Sequence, residues 1–115
     1  MESTIYVKPE RIRQYLIDLF GHYHVSKTGA AMIADNLIDA EIRGVTPHGL
    51  TRIPLYTEKL ISGLCDAKAV PEIVKNYGAT ALIDAHDGLG QVAATKAMEL
   101  AIEKAEQFGV GYVGL

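Results

Sequence analysis

His48 stands between Pro47 and Gly49 in the stretch from Arg43 to Tyr56, RGVTPHGLTRIPLY, with Arg52 four residues on and Tyr56 four beyond that. If a helix begins near Gly49, Arg52 and Tyr56 share one of its faces, and His48 sits on the entry loop above them. An imidazole gives or takes a proton near neutral pH, a guanidinium grips a carboxylate through two parallel hydrogen bonds, and a phenol positions a hydroxyl or carbonyl. Together the three could hold and protonate a small acid. A loop histidine is also a common turn or surface residue, so spacing by itself leaves both readings open.

Other chemistry-bearing residues are less suggestive. His22 and His24, in GHYHV, have the alternate spacing of a strand chelate, but a zinc site needs a third ligand and only His48 or His86 could supply one. They read as polar loop histidines, and no metal is expected. The single cysteine, Cys65, excludes an intrachain disulfide and reads as an incidental thiol in a reducing compartment. Gly88-Leu89-Gly90-Gln91-Val92-Ala93 matches G-x-G-x-x-A between a strand and a helix, where a phosphate-binding turn would sit. The approach from Asp84 is too long for the tight dinucleotide turn, however, and Asp84 and Asp87 would repel a pyrophosphate. Asp84 is expected to cap this turn and His86 to face solvent.

The elements that must position His48 follow from the pattern. Ile5 to Val7 is a short β-type run, and Pro9 opens a helix whose stripe is Ile12, Tyr15, Leu16, Leu19 and Phe20, ended by Gly21. Ser26 caps a second helix with Ala30, Ile33, Ala34, Leu37 and Ile38 inward, ending near Arg43 with Gly44 in the left-handed conformation. Pro47 should hold Thr46 extended, so that His48 rides a stiff loop. A third helix, from Leu50 to Ile61, accepts Pro54 in its first turn. After Pro71, EIVKNY and TALIDA form a hairpin about Gly78-Ala79. A helix from Gln91 to Phe108 then presents Val92, Thr95, Met98, Ala101, Ile102 and Ala105 as its stripe, Gly109 closes it, and a last strand follows. The expected class is mixed α/β: three helices (residues 1–63, with the His loop), then a β-β-α-β unit (71–115) with an incomplete sheet.

RGVTPHGLTRIPLYTEKLISG is similar to the signature of the malate/L-lactate dehydrogenase family, the sulfolactate and ureidoglycolate dehydrogenase type, which shows RGVDSHGxxRxPxYxxxLxxG. Arg43, Gly44, Val45, His48, Gly49, Arg52, Pro54, Tyr56, Leu60 and Gly63 match. The likeness continues through GLGQ, the AIEKA helix and GVGYVGL, covering nearly the whole chain. Thr46-Pro47 replaces the family's usual Asp-Ser, so the serine hydroxyl beside the substrate is absent. The resemblance implies NAD- or NADP-dependent hydride transfer to and from a small 2-hydroxy or 2-oxo acid, with a homodimeric assembly. It gives His48 the proton-transfer role, Arg52 the substrate carboxylate and Tyr56 the pocket wall. The fold it implies is not a standard Rossmann fold, and the cofactor is held by residues downstream of this segment, beyond an Asn-Ser-x-His run.

At 115 residues the chain has one domain's length, short for both a dinucleotide and a substrate, and it reads as a single N-terminal segment of such an enzyme. Eleven basic and 14 acidic residues, with no block of like charge, argue against nucleic acid and anionic membrane as partners. MESTIYVKPERIR lacks an apolar leader core and no apolar run reaches spanning length, so the cytoplasm is the expected compartment. The rival expectation is a truncated, non-catalytic small-acid-binding or interaction module.

Overall fold

The computed structural model describes residues 3–115; Met1 and Glu2, the first residues of MESTIYVKPERIR, lie outside the described residues. The chain divides into two compact units, residues 1–57 and 58–115. The mixed α/β order is helix, helix, helix, then β-β-α-β, as the sequence pattern implies.

The first unit is built on a pair of helices, α1 (Pro9–His22) and α2 (Lys27–Ile42). Pro9 sits in the first turn of α1, where its missing N–H costs no bond, and the Ser26 hydroxyl accepts from the Gly29 N–H at 3.1 Å to cap α2. Leu16, Ile17 and Phe20 of α1 and Ala30, Ile33, Ala34 and Leu37 of α2 are buried. The three- and four-residue spacing places each set on one face, and burial of a Leu or Phe contributes about 1.5–3 kcal/mol. Arg13 on α1 pairs with Asp35 on α2 at 2.7 Å, an exposed contact worth little beside that core.

Three expectations are corrected here. Gly21 does not end α1; the helix runs on to His22, and the chain reverses at His24, which takes a left-handed φ of 70° while Val25 N–H reaches back to the Phe20 carbonyl. Burial of Val25 holds this turn in place of a glycine. Tyr15, expected inward, is exposed, and Ile17 takes its place. Ile5 to Val7 forms no strand and is exposed. A β-type run without a partner strand has no ladder to join.

A third helix, α3 (Ile53–Ser62), carries the chain into the second unit. There β1 (Glu72–Tyr77) and β2 (Thr80–Asp84) form the antiparallel hairpin, with Gly78 at a φ of 51° in the turn. The helix α4 (Gly90–Phe108) crosses over to β3 (Tyr112–Gly114), which pairs parallel to β2, giving the order β1-β2-β3. Among the described residues the two outer strand edges are unpaired.

The buried face of α4 is not the expected stripe. Met98 and Ile102 are 62% and 52% exposed, while Ala93, Ala97 and Lys104 are buried together with Ala81 and Ile83 of β2. Small side chains let the helix backbone approach the strands. A Cβ on Gly111 would meet the Ala101 carbonyl carbon at 2.9 Å, so larger apolar groups are turned off this seam. Lys104 buries its stem and donates from Nζ to Asn76 Oδ1 and to the Gly78 carbonyl at 2.7 Å, tying α4 to the hairpin turn.

Candidate active site

The segment after α2 is shaped by consecutive tight turns. Val45 N–H bonds the Ala40 carbonyl as the helix ends, with Gly44 at a φ of 75° reversing the chain. Residues Thr46–His48 then form one 3-10 turn and Leu50–Arg52 a second, which leads directly into α3. Thr46 is therefore helical and not held extended. The preference imposed by a following proline is overridden by three bonds: His48 N–H to Val45 O, Gly49 N–H to Thr46 O, and the Thr51 hydroxyl to Thr46 O, each at 3.0 Å. The third helix likewise opens as a 3-10 turn and becomes α-helical only at Ile53, with Pro54 in its first α-turn.

These turns bring His48, Arg52 and Tyr56 into one short segment of the first unit. His48 ends the first 3-10 turn with its side chain exposed, and no described residue bonds its ring. Arg52 is half-buried, and its Nε donates to the Pro47 carbonyl at 2.7 Å. The guanidinium is thus tethered to the backbone one residue before His48. Among the described residues no carboxylate pairs with it. Tyr56 lies four residues further, half-buried on α3.

Spacing around His48 does not point to Glu41, yet its Oε1 accepts from the Leu50 N–H at 2.8 Å, between the histidine and the arginine. The available signal is an acid in the last turn of a helix, where the dipole disfavours it.

The remaining candidates lie elsewhere. His22 and His24 are exposed, and among the described residues no group of three potential ligands is placed to hold a metal ion. In the glycine-rich turn Asp84 Oδ1 accepts from His86 N–H at 2.8 Å, the capping expected of it. His86 is exposed, as expected, and it is also paired. Its Nε2 lies 2.8 Å from Glu72 Oε2 and its Nδ1 3.6 Å from Asp84 Oδ2. The hydrogen bond to Glu72, then the charges of Asp84, Glu72 and Asp87, raise its pKa against a smaller opposing effect of burial. His86 and Asp87 both take positive φ, so the turn is strained as well as acidic. With Glu72, Asp84 and Asp87 around it, the approach to α4 is acidic, which disfavours a pyrophosphate there. Cys65 is a buried free thiol whose pKa burial pushes up.

The family model for malate/L-lactate dehydrogenase matches residues 7–115. The chain belongs to this family. Members similar to it include the L-sulfolactate dehydrogenase of Methanocaldococcus jannaschii, 44% identical over 93% of this chain and 31% of its own length. The malate/(S)-sulfolactate dehydrogenase of Methanothermus fervidus is 40% identical over 95% and 32% respectively. The structure of the Methanocaldococcus jannaschii sulfolactate dehydrogenase superposes with a TM-score of 0.92 at 43% identity, covering 95% of this chain and 32% of that one. The chain thus spans about a third of the length of the relatives it matches. Among the described residues no helix is long and apolar enough to cross a membrane.

Proposed function

We propose that this chain carries the acid-handling part of a nicotinamide-dependent dehydrogenase of small 2-hydroxy and 2-oxo acids such as malate, lactate or sulfolactate. The observation that supports it most is Arg52: half-buried, tethered through Nε to the Pro47 carbonyl, and without a carboxylate partner among the described residues. A guanidinium tethered to the backbone one residue before an exposed histidine, and left unneutralised, suits a ligand that brings its own carboxylate.

In this reading the terminal N–H groups of Arg52 take the substrate carboxylate, and Tyr56 lines the pocket. His48 gives a proton to the C2 oxygen when a 2-oxo acid is reduced, and removes it when the 2-hydroxy acid is oxidised. Fixing the carboxylate sets the C2 oxygen relative to His48, which is where orientation raises the rate. NAD or NADP is the proposed redox partner. Its cradle is not assigned to the acidic Gly88–Gly90 turn, so only proton and carboxylate handling is given to this chain, which by itself should not turn substrate over. Residues 1–115 then act as one N-terminal segment of such an enzyme, 1–63 with the acid site and 71–115 as the β-β-α-β part. A homodimer and a cytoplasmic setting complete the proposal, the latter supported by the free Cys65 thiol.

The test is titration of malate and oxaloacetate into the purified chain while the Arg52 Nε–H and His48 ring resonances are followed. Saturable shifts at both are expected, and loss of the His48 shift in Arg52→Ala. A chain that binds acid yet stays inactive when supplied with the remainder of a family enzyme would favour a non-catalytic acid-binding module. Absence of any shift at these two residues would remove the reading.

A further inference from the structure

Glu41 reaches out of the last turn of α2 to a peptide group nine residues ahead. The peptide plane joining Gly49 to Leu50 is gripped on both sides. Its N–H is bonded by Glu41 Oε1 at 2.8 Å, and its carbonyl accepts the Arg52 N–H at 3.0 Å. Because a peptide group is planar and rigid, fixing its N–H direction fixes the direction of its carbonyl, and with it the start of the turn that carries Arg52. Gly49 serves the same contact. Its φ of −98° is open to any residue, but a Cβ there would lie 2.7 Å from Cγ and Cδ of Glu41. The position needs the missing side chain because the Glu41 carboxylate passes directly against the backbone.

We propose that Glu41 is a positioning residue of the acid site: anchored on α2, it orients the Gly49–Leu50 peptide and thereby sets Arg52 relative to His48. The inference rests on the reading of His48 and Arg52 as the acid-handling pair. A carboxylate in the last turn of a helix opposes the helix dipole, and its use at Leu50 accounts for its presence there. Arg52 is thus registered twice, through its backbone N–H by way of Glu41 and through Nε by the Pro47 carbonyl.

The experiment is hydrogen exchange by NMR on the 115-residue chain, following the Leu50 and Arg52 amides and the Arg52 Nε–H, with malate affinity measured on the same samples. Glu41→Ala should speed exchange at all three sites by about 3- to 10-fold, the equivalent of one net hydrogen bond. It should weaken malate by a similar factor. Glu41→Gln keeps an acceptor oxygen at the same reach and should restore both readouts. Gly49→Ala should reproduce Glu41→Ala by displacing the carboxylate, and should add little in the double variant. The Ile33 and Leu37 amides report that α2 stays folded. If Glu41→Ala unfolds the chain, Gly49→Ala decides alone. Arg52 protons that keep their wild-type protection when the Leu50 amide loses it, or in Gly49→Ala, would overturn the proposal, because Glu41 would then be only a local cap. Variants that show these exchange effects in a chain whose wild-type form binds no malate would refute the acid-site reading instead, leaving the link from Glu41 to Arg52 standing.

Discussion

Replacing Arg52 by alanine should weaken acid binding by an amount that the geometry bounds. Nε is already committed to the Pro47 carbonyl, so an incoming carboxylate meets only the terminal N–H groups. A hydrogen bond to a charged group contributes about 1.5–3 kcal/mol net, and the half-buried setting places the pair near the lower end, about 2 kcal/mol. That corresponds to a roughly 30-fold rise in the dissociation constant. Arg52→Lys keeps the charge but loses both the planar fork and the tether to Pro47, so it should recover only part of this, to roughly fivefold weaker than wild type. Calorimetric titration of oxaloacetate against its monomethyl and dimethyl esters provides the assay, because the arginine term should vanish with the carboxylate it holds. The reasoning fails if Arg52→Ala stays within about twofold of wild type, or if it weakens acid and diester alike.

Three further outcomes follow from the second unit. The pKa of His86 is raised above its ordinary 6.5 by Glu72, with Asp84 and Asp87 adding to it, so its contribution to stability is complete below that value and fades as pH rises through the raised one. Thermal unfolding across this window should show that decline, and Glu72→Gln should flatten it; an unchanged profile would discount the contact. Burial pushes the Cys65 thiol up against a smaller opposing effect of Lys59, so iodoacetamide should label it roughly tenfold or more slowly than free cysteine at neutral pH, until urea unfolds the chain. Lys104→Met should cost about 0.5–1.5 kcal/mol in urea unfolding by removing the bonds to the Gly78 carbonyl and the Asn76 amide oxygen, and a neutral result would show that water replaces the ammonium.

The order of elements was legible because caps and periodicity agreed locally. Ser26 announces α2, Pro9 announces α1, and Gly78 sits where the hairpin must turn. Burial within a helix was less so. The α4 stripe follows hydrophobicity in the sequence, but the actual seam is made of alanines because Gly111 brings two backbones into contact, and nothing local to Met98 or Ile102 carries that information. The placing of His48, Arg52 and Tyr56 along one turn-to-helix segment could be read from spacing and family likeness. The double 3-10 turn could not, because the bonds that overrule Pro47 run to the Val45 and Thr46 carbonyls and depend on the turn already being formed. Glu41 escaped for a related reason: its partner is a backbone N–H, which no side-chain motif records.

The most direct measurement uses a chimera in which residues 7–115 replace the matching segment of the Methanocaldococcus jannaschii sulfolactate dehydrogenase, the span over which family and fold agree. Once the chimera turns over a 2-hydroxy acid, kcat and KM are compared with those of its His48→Ala variant, with folding checked by circular dichroism. Loss of a proton donor should lower kcat by about 100- to 10,000-fold with little change in KM, because the carboxylate still finds Arg52. A folded His48→Ala chimera that keeps its turnover would contradict the assignment of proton transfer to His48.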